Sequence, residues 1–133
     1  MTRIIQISDP HIVPYGQLAY GQVDTAAALA TCVETVNRLL TKIGPVDLAI
    51  VTGDIADFGT KEEYQRFREI MSPLNLPYRV IPGNHDNVAN MRACFSDQSW
   101  MSSKGPINWK IKFDDLVLIA LDSSIKGLSL IHI

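Results

Sequence analysis

The sequence predicts an α/β fold: a parallel β-α-β-α-β unit, then a short helix and a β-hairpin. Three observations carry this. Short apolar runs rich in isoleucine and valine recur at 3–8, 47–52 and 78–81, and each is closed by proline, glycine or aspartate. The stretches between them space apolar residues by three and four, as amphipathic helices do, and strands alternating with helices pair in parallel through right-handed crossovers. After residue 106 the period falls to two, the mark of a half-buried strand.

Taken in order, Arg3 to Ser8 is the first strand, closed by Asp9-Pro10. A loop with Pro14, Gly16 and Gly21 leads to Asp24, which suits the N-cap of a long helix. The stripe Leu29, Cys32/Val33, Val36, Leu39/Leu40 and Ile43 lays one face of that helix on the sheet, and Gly44-Pro45 stops it. Asp47 to Thr52 is the second strand and ends at Gly53-Asp54. Thr60 and Glu63 have the spacing of a capping box; the helix they open carries Tyr64, Phe67 and Met71 on one face and stops before Pro73. Tyr78 to Ile81 is the third strand, ended by Pro82-Gly83, and Asn87 to Phe95 is a short helix. Ile107, Trp109, Ile111 and Phe113 then alternate with Asn108, Lys110 and Lys112; Asp114-Asp115 turns the chain, and Leu116 to Leu121 returns as a wholly apolar strand.

Composition narrows the class. The 133 residues suit one domain, and 47% hydrophobic with 20% charged residues excludes a disordered segment. A net charge of −2 disfavours a nucleic-acid polymer or a membrane surface as partner. Cys32 and Cys94 have the spacing of neither a zinc site nor a redox pair, which favours a reducing compartment. The amino-terminal apolar run is too short for a signal peptide and Leu116 to Leu121 is far below a membrane span, so a soluble cytoplasmic protein is expected.

In open α/β sheets ligands bind beyond the carboxyl ends of the parallel strands. Here those ends carry Asp9-Pro10-His11, Gly53-Asp54 and Gly83-Asn84-His85-Asp86, with two of the chain's three histidines among them. Imidazole, carboxylate and carboxamide together suit zinc, manganese, iron(II) or cobalt. Asp54, between the other clusters, is placed to bridge two cations, and paired cations clamp the oxygens of an in-line phosphoryl displacement. Alone, Asp9-x-His11 reads better as a polar loop, Asp54 after glycine is ordinarily a turn residue or cap, and Asn84-His85-Asp86 can be a hydrogen-bonded turn and helix cap. Three such coincidences at one sheet edge favour the metal site. Asp24, Thr60 and Asn87 are read as caps, the Trp109 stripe as core, Asp122 as fold-stabilising and His132 as a tail residue without function. Tyr15 and Tyr20 lie in a loop near the site and are read as ordinary exposed tyrosines.

These three motifs resemble the first three of the calcineurin-like metallophosphoesterases. Ile7-Ser8-Asp9-Pro10-His11, Tyr20-Gly21-x-Val23-Asp24, Thr52-Gly53-Asp54-Ile55, Glu63-Tyr64 and Pro82-Gly83-Asn84-His85-Asp86 narrow the likeness to the class III cyclic nucleotide and glycerophosphodiester phosphodiesterases, from about Arg3 to Ser123. The resemblance implies the amino-terminal half of an α/β sandwich. It implies that Asp9 and His11 bind a first divalent ion, that Asp54 bridges it to a second, and that Asn84 binds the second. His85 would meet the phosphate and protonate the leaving group, and Asp86 would hold His85 in the right tautomer. The substrate would be a cyclic nucleotide or small glycerophosphodiester, and the acidic Asp86 after the histidine disfavours a protein phosphatase.

The family's later motifs, a histidine after a fourth parallel strand and a Gly-His-x-His segment, have no match, since Leu130-Ile131-His132-Ile133 fits neither. The expectation is therefore a partial phosphoesterase domain over residues 1–124 and a tail, of non-native or misread sequence, over 125–133. Such a chain would retain little or no activity. The alternatives are an inactive module binding a single metal or phosphate, and a phosphomonoesterase of the same superfamily.

Overall fold

In the computed structural model, which describes residues 1–125, the elements follow the expected order. Strands β1 (Ile4–Ser8), β2 (Leu48–Thr52) and β3 (Tyr78–Ile81) form a parallel sheet in the order β1-β2-β3. The register pairs Ile7 with Val51 and Val51 with Val80, so one apolar row crosses the sheet. That row enters a core with Leu29 and Val33 of α1 (Thr25–Ile43), Tyr64, Phe67 and Met71 of α2 (Lys61–Met71), and Met91 of α3 (Val88–Cys94).

The helix starts are set locally. Asp24 accepts the Ala27 N–H (2.9 Å) and Asn87 the Asn90 N–H (3.0 Å). At α2 both halves of the capping box form, Thr60 accepting from the Glu63 N–H (3.3 Å) and Glu63 from the Thr60 N–H (2.9 Å). The apolar stripe of α1 is buried only in part. Ala26, Leu29, Val33 and Val36 are covered, but Leu39 and Ile43 are exposed. The cause is length: the 19 residues of α1 rise about 28 Å, while a five-residue strand such as β2 covers about 17 Å.

Strands β4 (Trp109–Lys112) and β5 (Val117–Ala120) form the antiparallel hairpin. Buried Trp109 donates its Nε1–H to Val80 O (2.8 Å), tying β4 to β3. Asp122 closes the base of the hairpin by accepting the Ile107 N–H (3.0 Å), while its own N–H donates to Asn108 Oδ1 (2.7 Å). Cys32 and Cys94 are free and half-buried. Among the described residues no helix is long and apolar enough to cross a membrane. His132 and the expected tail, apart from Ile125, lie outside the described residues.

Candidate metal centre

Main-chain hydrogen bonds continue past the strands and stitch the loops at the carboxyl edge together. The Asp9 N–H donates to Gly53 O (3.2 Å), His11 N–H to Asp54 O (2.9 Å), Ile12 N–H to Ile55 O (2.9 Å) and Gly53 N–H to Ile81 O (2.9 Å). The loop after β3 comes closer still. A Cβ on Gly83 would lie 2.3 Å from Asp54 Oδ1 and 2.4 Å from Asp54 N, so this approach requires glycine.

Backbone strain is gathered at the same edge. Among the described residues, four that are not glycine have positive φ: Asp9 (53°), His11 (44°), Tyr20 (53°) and Asp54 (47°). Left-handed backbone costs about 1–2 kcal/mol per L-residue and persists where the surroundings over-determine it, as at functional sites. Three of the four are the residues whose side chains converge.

Asp9, His11 and Asp54 each present a ligand-type atom, all within 4.8 Å of one another. His11 Nε2 lies 3.5 Å from Asp54 Oδ2, and buried Asp54 accepts the His85 main-chain N–H on Oδ1 (3.0 Å). The other ring nitrogen of His11, Nδ1, is 3.0 Å from Asp57 Oδ1. A carboxylate there accepts, so Nδ1 carries the proton and Nε2 keeps its lone pair on the side of Asp54, an assignment made from this hydrogen bond. An imidazole oriented by a carboxylate, beside two more carboxylates, is a donor set that fits a divalent ion.

Asp57 also holds the second histidine. His85 Nδ1 donates to the Asp57 carbonyl oxygen (2.9 Å) and lies 3.5 Å from its carboxylate, and the two imidazoles meet edge to face with centroids 4.9 Å apart. His11, Asp57 and His85 also bring ligand-type atoms within 4.8 Å. Hydrogen bonds on Asp57 account for that grouping, which makes it an orienting network. Sequence reasoning missed Asp57. Its only signal was an acid three residues after Asp54 on the strand end, in a turn where acids are common.

Asp86 is a correction. Its Oδ1 accepts from the Ala56 N–H (3.0 Å) and the Tyr64 O–H (2.9 Å), its Oδ2 from the Ile55 N–H (3.1 Å) and Gly83 N–H (2.8 Å). With four donors on two oxygens it binds the loop after β2 to the loop after β3, and the contact on His85 Nδ1 comes from Asp57 instead. Burial pushes the Asp86 carboxyl above its ordinary range while these donors pull it back, and burial beside that carboxylate pushes the Tyr64 hydroxyl far up. Asn84 lies on the wall of a cavity of about 610 Å³ with His85, Tyr20 and Phe58. A cavity of about 640 Å³ between α2 and α3 lies away from these donors.

The calcineurin-like phosphoesterase family profile matches residues 2–132. The chain is 44% identical over 126 residues to a probable glycerophosphodiester phosphodiesterase GpdQ of Arcobacter nitrofigilis, covering 95% of this chain and 45% of that protein. It is 33% identical over 126 residues to the glycerophosphodiester phosphodiesterase GpdQ of Enterobacter lignolyticus, covering 93% and 44%. It is 32% identical over 125 residues to the 3′,5′-cyclic adenosine monophosphate phosphodiesterase CpdA of Pseudomonas aeruginosa, covering 93% and 42%. The chain spans less than half the length of each of these relatives. With the motifs on the ends of successive parallel strands and the profile matched along nearly its whole length, the chain belongs to the calcineurin-like phosphoesterase family.

Proposed function

We propose that this chain carries the core of a site for metal-dependent hydrolysis of small phosphodiesters, either a cyclic nucleotide or a glycerophosphodiester. The observation that supports this reading is the convergence of Asp9, His11 and Asp54 in strained backbone at the strand ends. In this reading Asp9, His11 and Asp54 hold one divalent ion, and Asp54 and Asn84 hold a second, with manganese, iron, zinc and cobalt all suited to the donors. Such ions supply positive charge to a phosphoryl group and a nucleophile at neutral pH. The chain's own residues orient and move protons around them. Asp57 keeps the proton on His11 Nδ1 and so leaves Nε2 free to ligate. His85, held through Nδ1 on the Asp57 carbonyl, presents Nε2 to the substrate, and as an imidazolium it would pass the Nε2 proton to the leaving alkoxide and return to the neutral ring. Asp86 fixes the two loops at the spacing this needs.

The named relatives are more than twice as long as the matched segment, so the activity is proposed for the protein carrying this chain. Residues 1–124 are proposed as a partial domain lacking further ligands to the second ion, and the chain alone as weakly active or inactive. Two half-buried free thiols support a cytoplasmic setting. A second reading, a module that holds one ion or a phosphate without turnover, is favoured by the grouping among the described residues: Asp9, His11 and Asp54 gather as one ligand set, while hydrogen bonds on Asp57 account for the other.

Titration of the chain with Mn²⁺, followed by loss of the free-ion paramagnetic resonance signal, tests the site. Saturable binding is expected, weakened at least about tenfold by Asp54→Ala with the melting transition retained. Asp54→Ala binding Mn²⁺ like the parent chain overturns the metal site. Two ions per chain with turnover of bis(p-nitrophenyl) phosphate support the first reading, and one ion without turnover the second. Preference for p-nitrophenyl phosphate over the diester would mark a phosphomonoesterase.

A further inference from the structure

We infer that Tyr20 and Phe58 form an aromatic wall of the substrate pocket and select phosphoesters bearing a planar ring, such as a nucleoside, over those bearing glycerol. The inference rests on the phosphodiesterase reading above and adds to it the residues that choose between its two substrate classes. Both side chains line the cavity of about 610 Å³ that also exposes Asn84 and His85, a volume that accommodates a nucleotide. Tyr20 is 71% exposed and Phe58 67%, so each holds a large ring face in water beside the ligand cluster.

Two independent features fix the backbone from which these rings project. Tyr20 has φ 53°, a conformation that Asp and His tolerate better than a bulky tyrosine. It is kept there by a tight turn in which the Ala19 N–H donates to Val23 O (2.8 Å) and the Gly21 N–H to Leu18 O (3.1 Å). Its ring lies 6.3 Å from that of His11. Phe58 follows Asp57, whose carbonyl holds His85, and its own N–H is clamped by both oxygens of the buried Glu63 (3.3 and 3.2 Å). Tyr15, from the same loop as Tyr20, shows the contrast. Its hydroxyl donates to Glu69 and its ring lies under Arg66, so it is spent on α2 and is not part of the cavity. A nucleobase stacks on an aromatic face, whereas glycerol has no ring to offer one.

The test is calorimetric titration of the Mn²⁺-supplemented chain with adenosine 5′-monophosphate and with glycerol 3-phosphate. The nucleotide is expected to bind about tenfold tighter, and Phe58→Ala or Tyr20→Ala to weaken it about five- to tenfold while glycerol 3-phosphate stays within about twofold. Tyr20→Phe, which keeps the ring, is expected to keep the nucleotide affinity. Equal affinity for the two phosphates, or Ala variants that bind the nucleotide as the parent does, overturns the aromatic wall and leaves the phosphodiesterase reading standing. Binding of neither phosphate overturns the aromatic wall, and the Mn²⁺ titration with Asp54→Ala then decides the metal site separately.

Discussion

The carboxyl-edge loops and the β4–β5 hairpin are held in place by opposite means. In the loops the positioning is directional. Asp86 takes four hydrogen bonds, Asp57 touches both imidazoles, and among the described residues no buried side-chain nitrogen or oxygen lacks a partner. In the hairpin one-sided packing predominates, with the Trp109 Nε1–H bond to Val80 O as a directional tie. Trp109, Ile111, Leu118 and Ala120 join the core, while Val117 and Ile119 of β5 and the following Leu121 face outward at 53%, 61% and 67% exposure. Directional bonds fix an atom to tenths of an ångström, whereas packing on one face fixes a strand only as a body. The difference explains why the ligand-type residues sit where the first kind of restraint is densest.

The sharpest way to break the comparison is Asp86→Ala. It leaves the Ile55, Ala56 and Gly83 N–H groups and the Tyr64 O–H without an acceptor in a buried setting. Each orphaned group costs about 1–3 kcal/mol, and local collapse recovers part of it, so a loss of about 3–5 kcal/mol is expected in urea unfolding. Tyr64→Phe removes one of the four donors and is expected to lose about 1–2 kcal/mol. A loss below about 1 kcal/mol for Asp86→Ala would mean that water replaces the carboxylate and that the loops are less tightly determined than their bonds imply.

The parts of this arrangement that were legible in the sequence are the parts decided within a few residues. Asp24, Thr60 and Asn87 cap helices because a short side-chain oxygen reaches the N–H three positions on, wherever the helix later packs. The strand ends placed Asp9, His11, Asp54 and Asn84 at one edge because parallel strands share a direction. What was illegible needed the third dimension. Leu39 and Ile43 continue the α1 stripe without a flaw, yet both stay exposed among the described residues. Asp57 and Asp86 look alike as acids in glycine-rich turns, and only the fold shows that one faces two histidines and the other four donors. Strain at Tyr20 has no local signature either, since nothing in Ala19-Tyr20-Gly21 announces a left-handed tyrosine.

Asp57→Asn separates orientation from stability within the loop region. The amide oxygen still accepts from His11 Nδ1–H, so the ring keeps its place, but the charge that raises the basicity of Nε2 is gone. Mn²⁺ affinity is expected to fall about tenfold, equivalent to about 1.4 kcal/mol, with the urea midpoint little changed. Unchanged affinity would assign Asp57 a purely structural role.

The smallest effect is expected on the other side of the comparison, at the outward face of β5. Val117 pairs with Lys112 and Ile119 with Lys110, so this face meets lysine stems across the ladder and water beyond them. Val117→Thr with Ile119→Thr keeps β-branching, and with it the preference for extended backbone, while removing apolar surface that is already more than half exposed. The pair is expected to shift unfolding free energy by no more than about 0.5 kcal/mol and to leave Mn²⁺ binding unaltered. A loss above about 1 kcal/mol would mean that this face is covered in solution, and sedimentation of the two forms would then show whether a second copy covers it. If the effect is small, the open face tolerates change because nothing among the described residues leans on it, and the loop edge is where sequence changes register on function.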